Sequence, residues 1–208
     1  MIYRKKYFDW QKDIGLIGGI LNKFKFEKYI KKEDTVIDFG SGGGYLLKNI
    51  NCKEKKGIEI NPIARKNASN LGIKSVSSIN KIKDNYANVI ISNHALEHVK
   101  CPLDILKKLK LKLKKNGRII FVVPHQGPKE KFKLNDINQH LYTWNPLTLG
   151  NLFKEAGFNI IEVKNIRYTW KPSFYKVYKV FNKKLFDGLC KIYSLYKNNY
   201  QIRIIAKR

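Results

Sequence analysis

Short apolar runs alternate with longer amphipathic stretches along this chain of 208 residues. Residues 35–39, 57–60, 73–76, 88–92, 118–123 and 158–163 are strand-sized and bounded by glycine, asparagine or proline, and residues 202–206 close the set. Near-continuous apolar character in such runs predicts strands covered on both faces. Between them, apolar positions recur about one helical turn apart. Residues 11–32 read as a helix through Ile14, Ile17, Ile20, Leu21, Phe24 and Phe26. A second helix begins at Tyr45, after a glycine cluster. A third opens on Asn61-Pro62 and closes at Leu71-Gly72, with Asn61 suited to the N-cap and Pro62 to the first turn. Residues 103–115 form a Lys-rich helix closed by Asn116-Gly117, and a further helix runs from Asn145-Pro146 to Ala156-Gly157. Residues 125–143 are a polar loop.

Strands alternating with helices predict βαβ units and a parallel sheet. The expected fold class is α/β: one doubly wound, Rossmann-like domain over residues 1–208, with an N-terminal helical cap at 1–33 and an aromatic, basic helical insertion at 168–198. Apolar residues make up 43% of the chain, enough for a core, and no run approaches the roughly 18 apolar residues that span a bilayer. No apolar stretch of signal-peptide length follows the basic N-terminus. Cys52, Cys101 and Cys190 are sparse and lack a CxxC spacing, which fits a reducing compartment and gives no zinc signature. A cytoplasmic protein is expected. The net charge of +26 would attract nucleic acid, anionic lipid or anionic substrates. Only six of the 42 basic residues are arginine, so a general lysine bias accounts for the charge equally well.

Chemistry enters at the first turn. Asp38-x-Gly40-x-Gly42-x-Gly44 follows a strand and opens a helix. Glycines let the backbone turn tightly and approach a ligand without a Cβ clash. The dinucleotide fingerprint G-x-G-x-x-G would need glycine at position 45, which is tyrosine. Asp38 would repel a pyrophosphate but suits the amino group of a methionine moiety. Glu59 lies 21 positions after Asp38, where an acidic group can accept both ribose hydroxyls.

The run from Val36 to Tyr45 resembles the first motif of class I S-adenosylmethionine (SAM)-dependent methyltransferases, and Gly57 to Pro62 resembles their second. Residues 88–99 with Pro102 resemble the fourth-strand motif of the small-molecule group that includes ubiquinone-biosynthesis and sugar methyltransferases. Residues 114–121, 140–146 and 152–158 are similar to later parts of the same group, so the likeness covers about 33–165. It implies a seven-stranded sheet with an antiparallel last strand, SAM as cofactor, and contacts to it from Asp38, Gly40, Ser41, Gly42, Gly44, Glu59, Ile60 and Asn93. One departure stands out: Ser77-Ser78-Ile79 occupies the place where relatives carry an acidic residue for the adenine amino group.

Methyl transfer needs donor and acceptor aligned, and an oxygen acceptor also needs a base, for which histidine is best suited. His98 is the first candidate for acceptor-side work, with Glu97 to orient it, bind a metal or cap the next helix. His94 shares that loop, His140 lies in a loop with Tyr142 and Trp144 that would close over the site, and His125 is a weaker candidate. Four histidines raise a metal reading, but their spacing follows no established ligand pattern, so no metal is expected. The expected reaction is methyl transfer to a small-molecule or glycan acceptor, at oxygen. An RNA or other nucleic-acid methyltransferase is the alternative suggested by the charge, although Asn93-His94-Ala95-Leu96 lacks the run of base-methylating enzymes. A non-catalytic SAM-fold peripheral membrane protein is the third reading. In residues 170–198, Phe174, Tyr178, Phe181, Leu185, Leu189, Ile192 and Tyr196 share a helical face, while Asp187-Gly188 invites a break. That face would either pack on the domain over the acceptor pocket or lie on anionic lipid at the inner face of the membrane.

Overall fold

In a computed structural model of the chain, described over residues 15–125, 131–134, 136, 138–169 and 183–208, the apolar runs become a single seven-stranded sheet. The strands are β1 (Thr35–Phe39), β2 (Glu54–Ile58), β3 (Lys74–Val76), β4 (Ala87–Asn93), β5 (Leu113–Pro124), β6 (Asn159–Ile166) and β7 (Gln201–Lys207). Their order is β3-β2-β1-β4-β5-β7-β6, and β7 alone runs antiparallel to its neighbours. The strand order reverses between β1 and β4. Ligands of open α/β sheets bind at such a switch point, beyond the carboxyl ends of the strands.

Helices cover both faces: α1 (residues 15–21), α2 (Tyr45–Asn49), α3 (Pro62–Asn70), α4 (Pro102–Lys112), α5 (Pro146–Glu155) and α6 (Lys183–Tyr196). Alternate strand residues feed two cores. Ile37, Ile90, Ile119 and Phe121 point toward Leu106, Leu109, Leu149 and Phe153 of α4 and α5. Val36, Val89, Ile91, Ile120 and Val122 point the other way, to Phe26, Leu47 and Ala68. Each buried Leu, Ile or Phe contributes about 1.5–3 kcal/mol, so the doubly covered sheet is the stable frame on which the loops hang. The Asn61 and Asn145 side chains accept from Ile63 N and Thr148 N, capping α3 and α5 as the sequence predicts.

Several boundaries differ from the sequence pattern. The helix expected over 11–32 ends at residue 21 and gives way to two 3-10 turns, Lys23–Lys25 and Glu27–Tyr29, which turn Lys25 and Phe26 into the interior. Strand β2 stops at Ile58, leaving Glu59 and Ile60 in the loop beyond it. Helix α4 stops at Lys112 because Leu113 already pairs with Ala87. Asn116 (φ 64°) then carries β5 through an irregular turn before Arg118 pairs with Val89.

The C-terminal insertion departs most. Of its expected apolar face, Phe174, Tyr178 and Phe181 lie outside the described residues. Helix α6 runs unbroken through Asp187-Gly188, with the Tyr168 hydroxyl donating to Asp187 Oδ1 (3.0 Å) and Phe186 and Cys190 buried on either side. Phe186 and Cys190 pack with Ile17, Leu21 and Tyr168. The face through Leu185, Leu189, Ile192 and Tyr196 points outward and does not pack over the pocket: Ile192 is 64% and Tyr196 79% exposed.

Candidate active site

The loop after β1 is built for close approach. Gly40 has φ 75°, and a Cβ there would sit 2.3 Å from the Ala95 Cβ, so a side chain is excluded both by backbone conformation and by space. Gly42 N donates to Glu59 Oε2 (2.9 Å) while Asn61 N donates to Oε1 (2.7 Å), so one carboxylate braces the glycine loop against the turn after β2. Burial raises Glu59 from the ordinary carboxylate range, and these backbone donors pull it back. Ser41 is buried beside Gly57.

Asp38, near the end of β1, is buried, and its Oδ1 meets no hydrogen-bond partner. Burial, and then the nearby Glu59 charge, raise it well above its usual value. A buried carboxylate costs several kcal/mol unless a cation or donors meet it. An ammonium group entering the cavity would supply such a partner.

Two cavities meet at this loop, both touched by Gly40, Gly42, His94 and His98. One, of about 340 Å³, is lined by Glu59, Ile60, Ser77, Ser78 and Ile79 and has an apolar flank from Ala64, Val99 and Ile105. The Ser77-Ser78-Ile79 stretch therefore sits in the site although it brings no carboxylate. The other, of about 430 Å³, is lined by Asp38, Asn93, His94, Glu97, His98 and His140, with α1 forming a further wall. Each is of the size that holds a small ligand, roughly 300–1,000 Å³.

The second cavity holds a histidine cluster. His94 N donates to the Val122 carbonyl (2.8 Å), and the residue takes φ 57°, a left-handed conformation uncommon outside glycine. Glu97 follows in a short 3-10 turn (Leu96–His98) and is fully buried, with no hydrogen-bond partner for either oxygen. Around its Oε1 stand His94 Nδ1 at 3.8 Å, His98 Nε2 at 4.0 Å and His140 Nε2 at 4.0 Å. The Glu97 carbonyl accepts from Leu141 N (2.8 Å), which ties the 138–142 segment to this turn and brings His140 in. Burial pushes Glu97 up to about 8, His94 down to about 3 and His98 down to about 4, so both imidazoles are neutral at pH 7. Glu97, His98 and His140 also offer three ligand atoms within 4.8 Å of one another, a set that could hold a divalent ion. His125 is not in the cluster. Its ring stacks on Tyr200 and shares a hydrogen bond with the Tyr200 hydroxyl (2.9 Å).

The family model described as a methyltransferase domain matches residues 12–163. The chain belongs to this methyltransferase family. Its fold is that of a SAM-dependent methyltransferase from Archaeoglobus fulgidus (21% identity, TM-score 0.61, covering 90% of this chain and 93% of that one). It is likewise that of a SAM-dependent methyltransferase from Mesorhizobium loti (13% identity, TM-score 0.60, covering 87% of this chain and 94% of that one). Phosphoethanolamine N-methyltransferase 2 of Haemonchus contortus, solved with SAM bound, shares it too (15%, 0.58, 95% of this chain and 52% of that one). No curated protein matches the chain in sequence.

The protein is thus a SAM-dependent methyltransferase, with its doubly wound sheet of six parallel strands and one antiparallel. The residues present fit the cofactor: the unpartnered Asp38 oxygen suits its ammonium, and Gly40 and Gly42 bring bare backbone to both cavities. Of the methyltransferase's expected site residues, the fold gathers seven of the eight cofactor candidates around the two cavities, and His94, His98 and His140 around Glu97, while Gly44 (φ 81°) lines neither cavity and packs against Ala68 at the start of α2. Sequence reasoning missed Lys25 and Gln201, which line the same cavity and had no motif to mark them.

Proposed function

We propose that this methyltransferase acts on a hydroxyl oxygen of a small-molecule or glycan acceptor held against the Glu97–His98–His140 cluster. The observation that carries the reading is the cluster itself, three imidazoles, those of His94, His98 and His140, around one buried carboxyl in the cavity that the glycine loop also lines. In this reading Asp38 holds the ammonium of the cofactor, Glu59 its ribose hydroxyls, and Ile60 and Asn93 flank it, while Gly40, Ser41, Gly42 and Gly44 let it approach the backbone. SAM supplies a methyl group on a sulfonium, an electrophile that needs only an aligned nucleophile. His98, neutral at pH 7, accepts the acceptor's hydroxyl proton, with His140 packed edge-on against its ring (centroids 4.9 Å) and the Glu97 carboxyl nearby to offset the charge that forms. His94 forms the shared wall of the two cavities. A screen of hydroxyl, amine and thiol acceptors with methyl-labelled SAM tests this. Label entering oxygen is expected, and label confined to nitrogen or carbon acceptors would overturn it.

One observation favours a second reading of the same cluster: the 4.8 Å span of its ligand atoms suits a divalent ion that would acidify the hydroxyl in place of the base. Dialysis against a chelator separates the two, since a metal-free base keeps its turnover and a metal site loses it.

We also infer that α6 meets an anionic membrane surface, so that the enzyme works as a peripheral protein at the inner face. Among the described residues no helix is long and apolar enough to cross a membrane. The exposed Leu189, Ile192, Leu195 and Tyr196 lie beside Lys191 and Lys197, on a protein of net charge +26. Such a face suits the headgroup region, each nearby lysine adding about 1 kcal/mol on anionic lipid. Co-sedimentation with phosphatidylglycerol vesicles, lost in high salt and absent with neutral vesicles, is expected. Salt-sensitive binding to RNA with no vesicle binding would favour a nucleic-acid acceptor instead.

A further inference from the structure

Two basic residues are buried among the described residues, and they are treated differently. Arg203, on β7, is paired: its Nε and Nη2 donate to Glu162 Oε1 at 3.1 and 2.7 Å. Lys25 is fully buried and has no ion pair among the described residues. Its Nζ donates to two neutral amide oxygens, Asn93 Oδ1 at 3.1 Å and Gln201 Oε1 at 2.5 Å. An ammonium has three donors, and Lys25 lines the larger cavity, so one N–H remains for what enters there. Burial alone pushes it down to about 7, since no carboxylate is near enough to hold it up.

A buried ammonium without a counter-charge costs several kcal/mol. In a chain with 42 lysines and arginines, only Lys25 and Arg203 are buried among the described residues, and Lys25 alone of the two has no ion pair there. The position tells which ligand it meets. Asn93 ends β4, and Gln201 begins β7, which lies beyond β5 on the side of β4 away from β1. The glycine loop, Asp38 and Glu59 belong to the β1–β2 side. Lys25 therefore shares the cavity with Asp38 and the glycine loop, but enters it from the β7 side through Gln201, near enough to His94 for its charge to act on that imidazole.

We propose that Lys25 anchors an anionic group, a carboxylate or phosphate, carried by the methyl acceptor. This rests on the methyl-transfer reading and adds to it the acceptor's charge. The third N–H of Lys25 donates to the anionic oxygen, with Asn93 and Gln201 holding the ammonium in place. The anion supplies the missing counter-charge and fixes the distance between the acceptor's anchored end and its reacting oxygen.

The test is calorimetry on the full chain loaded with S-adenosylhomocysteine, using benzoate, phenyl phosphate and neutral benzamide as probes. Wild type is expected to bind at least one anion about ten- to a hundredfold more tightly than benzamide, the scale of a hydrogen bond to a charged group. Lys25→Met and Lys25→Gln, each checked for folding by thermal melting, are expected to erase that preference while S-adenosylhomocysteine affinity stays within about twofold. Wild type with no preference for either anion, or a preference that survives in both folded variants, would overturn the proposal. So would a tenfold loss of S-adenosylhomocysteine affinity with the anion preference intact, which would make Lys25 a cofactor residue. A wild type that binds neither SAM nor S-adenosylhomocysteine refutes the cofactor reading itself, and that result is read before any probe is added.

Discussion

The two halves of the site are made in different ways. In the proposed reading the cofactor half comes mainly from one stretch, residues 38–44, plus Glu59, two carboxylates set about a glycine backbone that Glu59 braces at Gly42 N. The acceptor half, in the same reading, is assembled from Lys25, His94 to His98, His140 and Gln201, four places in the chain, through side chains. A half made of backbone tolerates little change in shape. A half made of side chains sets which molecule is methylated and can be altered residue by residue.

Four substitutions sharpen or break this division. The largest effect is expected from His98→Ala: turnover should fall about a hundred- to ten-thousandfold, the range for removing a general base, with SAM affinity within about twofold. Single-turnover kinetics alongside calorimetry separate the two quantities, and equal losses in both would erase the boundary between the halves. Glu59→Ala should do the reverse, weakening SAM by about 1.5–3 kcal/mol in calorimetry, because it removes the brace of the loop and a charged acceptor together.

Lys25→Met should show its effect in stability against pH. The folded lysine titrates near 7 and the unfolded one near its ordinary 10.5, so between these values the unfolded chain holds a proton that the folded chain gives up. Wild-type stability therefore rises by up to about 1.4 kcal/mol per pH unit across that window and is lost as pH falls toward 7. Melting curves should show the variant gaining most over wild type at pH 6, with the gain fading toward pH 10. A gain independent of pH would mean that the ammonium is not the source. The smallest effect on folding is expected from Ile192→Glu, a change of less than about 0.5 kcal/mol in denaturant unfolding because the side chain faces solvent. The same variant should bind anionic vesicles more weakly.

The division also explains what could be read in the sequence. The loop, Glu59 and the strands were legible because their signals are local: a glycine spacing, an acidic residue at a set distance, an apolar run. The switch point, and the two cavities that seven of the eight cofactor candidates line, follow from those signals once the sheet forms. Lys25 carries no local signal, being one basic residue among 42. His140 is 42 positions from His98 and reaches it only because Leu141 N finds the Glu97 carbonyl. Whether the face of α6 through Leu185, Leu189 and Ile192 turns inward or outward was not legible for a related reason. Phe186 and Cys190 form a second apolar strip beside Leu185, Leu189 and Ile192, and only the docking partners, Ile17, Leu21 and Tyr168, select which strip turns inward.

The unpartnered oxygen of Asp38 has a consequence for the heat of cofactor binding. Burial and the neighbouring Glu59 make its carboxyl hold a proton at a pH where an exposed aspartate has lost it. A ligand ammonium arriving beside that oxygen favours the ionised form, so the proton must leave as the ligand enters. Binding then becomes an acid release. In mildly acidic solution the measured enthalpy should depend on the ionisation heat of the buffer, and the slope between two buffers counts the protons that Asp38 sets free.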